Sequence, residues 1–250
     1  SRIPLILVGL MIGAGAAWGV GYTWNGPGDG NWNTVTNWTP NGTPIATDDI
    51  TINGAGPTSN IIATVNSLTL AGASSFAVPA AGMTITTSLS SAGALTLNGN
   101  LTVTGAAANT GTLALGAGTL TATSISGAGG IVTSNGGILN LSAASTIAVL
   151  NNTAGAVTIN GGAGLVTVSS VTGTALATLN AGAGGITVTN ASGGGAMTTS
   201  GAVTITGTSG SNIGALGNSG TLTIGGAVTA GAVTNTGTIA VGGNSLIASN

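Results

Sequence analysis

The chain has 250 residues, 42% of them hydrophobic and 2% charged, with 47 Gly and a formal net charge of −2. Its charges are Arg2, Asp29, Asp48 and Asp49, and Glu, Gln, Lys, His and Cys never occur. That excludes disulfides, nucleic acid as a partner (one cation cannot displace phosphate counterions) and a disordered chain, which combines low hydrophobicity with high charge.

Residues 1–21, SRIPLILVGLMIGAGAAWGVG, place one positive charge before an apolar run and then small residues. That is the order of a secretory signal. The run is also near the length of a membrane-spanning helix, about 20 residues. Three readings stand: a signal peptide, a retained segment buried in a membrane or in neighbouring subunits, and a buried first strand. All three put the protein outside the cytoplasm or on its way there. Membrane contact is expected only through 1–21, and only if that segment is retained.

Residues 22–60 hold three of the four Trp, four of the six Pro and all three Asp. A stacked β structure leaves an unpaired edge at its first layer, and repeat proteins cover such edges with atypical terminal units. Trp24, Trp32 and Trp38 supply large apolar area and one donor each, so 22–60 is expected to be a cap. The competing reading makes these three Trp contacts for assembly or for sugar rings. Asp29-Gly30-Asn31-Trp32-Asn33 matches the start of a calcium loop, but Thr34 stands where Gly is required and no Glu closes it. Asx turns are the expected explanation, and no metal or cofactor is expected. The string Trp24, Gly28, Asp29, Gly30, Trp32, Asn37, Trp38, Pro44, Asp48, Asp49, Ile50, Ile52 resembles the opening of secreted bacterial β-strand-repeat surface proteins. Beyond those 30 or so residues the likeness is compositional, to filamentous-haemagglutinin and autotransporter-passenger stalks. The resemblance implies a surface location and structural or adhesive work, and carries over no catalytic residue.

From 61 to 250 a Gly repeatedly precedes alternating apolar and small polar residues, as in Gly93-Ala94-Leu95-Thr96-Leu97 and Gly220-Thr221-Leu222-Thr223-Ile224. Period-2 alternation with Val, Ile and Thr predicts half-buried strands. The Gly recur at 93 and 111, 137 and 155, 201 and 220, and 220 and 237. A repeat of that size is one coil of a β-solenoid, with two or three short strands per coil and Gly or Asn at the corners. The expected fold is therefore all-β: a parallel β-solenoid of about ten coils behind the Trp-rich cap. A β-sandwich is the alternative, against which stands the absence of aromatics after Phe76. Stacked coils also explain the missing residues. A column of Glu or Lys would set like charges side by side, whereas Thr, Ser and Asn columns can bond along the stack.

The last stretch, TGTIAVGGNSLIASN, keeps the repeat pattern, so its coil is expected to be a template for another strand and to support head-to-tail polymerisation. The expected function is a structural subunit of an extracellular fibre or stalk, adhesive in one version, whose partner is itself. The alternative is a surface binding module. It would take glycans through the Trp cluster, or ice through the Thr-x-Thr pairs Thr84/Thr86, Thr102/Thr104, Thr187/Thr189, Thr204/Thr206 and Thr221/Thr223, which are unevenly spaced. Catalysis is not expected: general acid–base work needs titratable groups within reach, and none occurs from residue 50 onward. Asn37, Asn41, Asn100, Asn140, Asn151 and Asn190 head N-x-S/T sequons, a pattern that an Asn- and Thr-rich chain also produces by chance.

Overall fold

The computed structural model describes residues 19–26, 29–62, 64–133, 136–207 and 210–249. Residues 1–18, and with them most of the apolar segment 1–21, lie outside the described residues, as does Gly28 of the Trp-rich string. The described residues form two hydrogen-bonded sheets, of 14 and 10 strands. Neighbouring strands run parallel, except that Trp38–Thr39 lies antiparallel to Gly21–Trp24. The architecture is the expected parallel β-solenoid of about ten coils, not a sandwich.

The pairing registers resolve each coil into three faces. On the first face Thr84 stacks on Thr102, Thr102 on Thr121 and Thr121 on Asn140. On the second, Thr146 stacks on Thr167, Thr187, Thr204 and Thr223 in turn. On the third, Ser75 stacks on Ala94 and Ala94 on Thr112. Some strands turn a corner without a break. Met83–Ser91 and Leu101–Asn109 pass from the first face to the second, Ser145–Asn152 from the second to the third, and Ser211–Asn218 from the third to the first. Sheet membership therefore changes along the stack while the faces persist. The step between stacked residues is 18 from Thr84 to Thr102, 20 from Thr158 to Thr178 and 17 from Thr221 to Thr238. The corners absorb these differences, because only the strands must stay in register. At about 4.8 Å per rung, ten coils rise on the order of 50 Å.

Inside, aliphatic side chains stack on one another. Leu101, Leu120, Leu139, Ile159 and Leu179 form one continuous column, each at most 1% exposed. The column then turns polar at Thr199 and Asn218. Both are buried, and Thr199 Oγ1 donates to Asn218 Oδ1 at 2.9 Å. The Asn218 amide donates in turn to Gly220 O, Asn235 Oδ1 and Thr238 O, so a buried polar pair is bonded rather than stranded.

Two interruptions of the ladder are closed by serine. Ile125 N–H donates to Ser145 Oγ, and Ala191 N–H to Ser211 Oγ, each at 3.1 Å and each across 20 residues. Both serines are buried. The Ser145 hydroxyl in turn donates to Ala143 O. An orphaned buried N–H costs about 1–3 kcal/mol, so Ser145→Ala is expected to lower unfolding stability by about that much. Urea denaturation measures it; an unchanged midpoint would show that Ile125 does not depend on the hydroxyl.

Candidate functional site

Tyr22, Trp24, Trp32 and Trp38 gather at the first end of the stack. Trp24 lies opposite Trp38 across the antiparallel pair and beside Ile52 across the parallel one. Trp38 sits in the middle: its ring meets Trp24 at 5.0 Å, Trp32 at 4.7 Å and Tyr22 at 6.2 Å, all edge to face. Its Nε1–H donates to Trp32 O at 2.7 Å, and Trp24 Nε1–H to Ala55 O at 2.8 Å. Trp32 Nε1 is buried with no partner among the described residues. Trp24, Trp32 and Trp38 are exposed by 1%, 0% and 0%. Stacking on a sugar needs an open indole face, and so does covering a neighbouring subunit. These three side chains offer neither, because they fill the interior of their own chain. The edge itself ends in two residues, Trp38–Thr39, followed by Pro40, which has no N–H to offer.

The three carboxylates lie in the same region and are engaged separately. Asp29 accepts from Asn31 N–H, the Thr34 hydroxyl and the Asn37 amide, and Asn31 Oδ1 accepts from Asn33 N–H. These are two successive Asx turns, and the carboxylate oxygens face donors. The Asn31 N–H, with the Thr34 and Asn37 donors, holds Asp29 below its ordinary value of 3.8. A depressed folded value means the network is intact above pH 3.8 and is lost as pH falls through the lower folded value. Titration followed on the Asn37 side-chain amide resonance is expected to show its transition below pH 3.8; a transition above 3.8 would contradict the network. Asp48 accepts from Val20 and Ile45 N–H, and Asp49 from Asn66 Nδ2 and Ser67 Oγ. Among the described residues no three His, Cys, Asp or Glu form a group able to hold a metal. Asn37, the first sequon residue, is buried, and its Nδ2 also donates to Asn31 O; Asn41 and Asn100 are exposed.

The flanks of the stack are neutral and columnar. On the first face Thr84, Thr102 and Thr121 stack, and the strand positions two further along are Thr86, Thr104 and Thr123. Below them runs an amide ladder. Asn140 Nδ2 donates to Thr121 Oγ1, Asn160 to Asn140, Asn180 to Asn160, and the Ser200 hydroxyl to Asn180. A shallow trough of about 360 Å³ lies on this face, lined by Thr102, Thr104, Thr121, Thr123, Asn140 and Ser142. A second hollow, of about 410 Å³, separates Pro57 and Ile61 from Phe76, Ala77 and Asn98. Sequence reasoning picked out Thr102/Thr104 and missed Thr121/Thr123, whose stacking only the register shows. It also missed the inward Asn of Asn109-Thr110-Gly111 and Asn218-Ser219-Gly220. The Asn-[Ser/Thr]-Gly spacing before a new strand was the available signal. Compared with known proteins, the chain matches no family model, no curated protein and no solved structure.

Proposed function

We propose that this chain is a structural shaft, a segment of an extracellular fibre or stalk like those of the secreted bacterial β-strand-repeat surface proteins its Trp-rich string resembles. The observation that carries the reading is where the ionisable side chains lie. Among the described residues they are Asp29, Asp48 and Asp49 together with the Tyr22 phenol, all at the first end, and the carboxylates are bonded to neighbours. The coils beyond offer hydroxyls, amides and apolar side chains, which build length and rigidity and supply no acid, base or activated nucleophile. On this reading the protein is not an enzyme and takes no cofactor. Head-to-tail joining belongs to the same proposal. Its support is the interior of coil 232–249, where Val241 is 43% exposed and Ile239 and Leu246 are half-buried. A further coil would cover them, whether from another copy or from the same chain. The buried Trp cluster takes no part in that joint.

The reading is tested by immunogold labelling of the source cells and electron microscopy of the purified protein. Surface label and stiff rods, each rising on the order of 50 Å per ten coils, are expected. Label confined to the cytoplasm, or compact particles with no long axis, would overturn it.

A further inference from the structure

We propose that the first face is an ice-binding surface, a role that goes beyond the shaft and does not depend on it. Thr84, Thr102 and Thr121 are separated by unequal lengths of chain, yet they stand on three successive rungs in register, and Thr86, Thr104 and Thr123 each follow two residues further along, Thr123 at the shift in register between Ala122 and Ser124. Their spacing is about 4.8 Å along the stack and about 6.6 Å along the strand, two residues at about 3.3 Å. Thr102, Thr104, Thr121 and Thr123 are exposed, while Leu101, Val103, Leu120 and Ala122 between them are buried. The four therefore project to one side as a two-dimensional array of hydroxyls and methyls.

Three properties fit such an array to a solid water lattice. Threonine has few χ1 rotamers and the strands beneath are fixed by the ladder, so little side-chain entropy is lost on binding. Part of the array is also locked from within, since Thr123 Oγ1 donates to Thr104 O at 2.6 Å and Thr121 Oγ1 accepts from Asn140. That leaves methyls and the remaining hydroxyl lone pairs to order water. Finally, no charged group occurs among the described residues of these rungs, so no strongly held hydration shell competes with the lattice. The array extends as Asn140, Asn160, Asn180 and Ser200 on the following rungs. A soluble sugar would be expected to use an open aromatic platform, and Trp24, Trp32, Trp38 and Phe76 are buried.

The test compares three proteins of equal folded content by circular dichroism: the full chain, Thr121→Tyr on the first face, and Thr229→Tyr on the third. Thr123→Val serves as a second first-face variant should Thr121→Tyr misfold. Ice-crystal shaping, thermal hysteresis and adsorption of labelled protein to an ice surface are measured. The full chain and Thr229→Tyr are expected to shape and coat ice, and Thr121→Tyr to lose at least tenfold of the adsorption. Absence of shaping by the full chain overturns the proposal. So does equal activity of the two Tyr variants, which would place binding elsewhere. Adsorption to microcrystalline cellulose without ice shaping overturns it too, and assigns the face to a polysaccharide.

Discussion

Gly220→Ala is expected to destabilise the solenoid by about 3 kcal/mol or more, the upper end of what overpacking costs. A Cβ on Gly220 would lie 2.2 Å from Gly201 O and 2.3 Å from Gly201 N. One coil further on, a Cβ on Gly237 would meet Gly220 O at 2.1 Å. These glycines stack where successive corners pass close to one another, and the atoms struck are backbone. No rotamer change relieves that contact, so the coils must separate or the ladder must slip. Thr221, just after the corner, donates its N–H to Gly201 O at 2.8 Å, and that bond is the first to suffer. Coils in a stack unfold as coupled neighbours rather than as one unit, so the loss should concentrate around coils 197–249 in hydrogen exchange. Gly130 provides the control. It lies in strand Gly130–Thr133, and a Cβ there meets nothing within 4 Å. Gly130→Ala is expected to be neutral or to stabilise by about 0.4–1 kcal/mol through the unfolded chain. If both substitutions had the same effect, close corner packing would not be what demands glycine.

Trp38→Ala is expected to cost about 3–5 kcal/mol, as large-to-small changes at buried aromatics do. Trp38 is 0% exposed and touches three aromatic rings edge to face, a geometry that adds to simple area burial. Its removal also takes the donor from Trp32 O. Trp38→Phe keeps an aromatic ring and loses the N–H, so it should cost less, about 1–2 kcal/mol. Urea denaturation read by the fluorescence of the remaining tryptophans separates the two. A loss under 1 kcal/mol for Trp38→Ala would mean that the cluster is not the packed core of the first layers.

Alternation in segments such as Gly93–Leu97 and the return of glycine every 17 to 19 residues were enough to predict strands, coils and about ten layers. Those signals are local: an inward aliphatic at every second position is a property of the strand itself. The near-absence of charge was equally legible, and with it the scarcity of groups for catalysis. A tryptophan-rich cluster at the N-terminal end was legible as well, but how completely its rings are buried was not. Burial is a property of what packs on a ring, and Trp24, Trp32 and Trp38 come from three separate turns of chain that only the fold brings together.

Composition and periodicity by themselves determined that this polypeptide coils, that its interior is mostly aliphatic and that its flanks are uncharged. Tertiary structure alone decided which residues share a column. Corner length varies from coil to coil, while the backbone ladder fixes register, so Thr84, Thr102 and Thr121 align despite unequal separations, and Thr204 meets Thr223 rather than Thr221. It also decided which glycines are irreplaceable, because the gap above Gly220 and the open space beside Gly130 are set by the coil next door, whose distance no short window of sequence encodes.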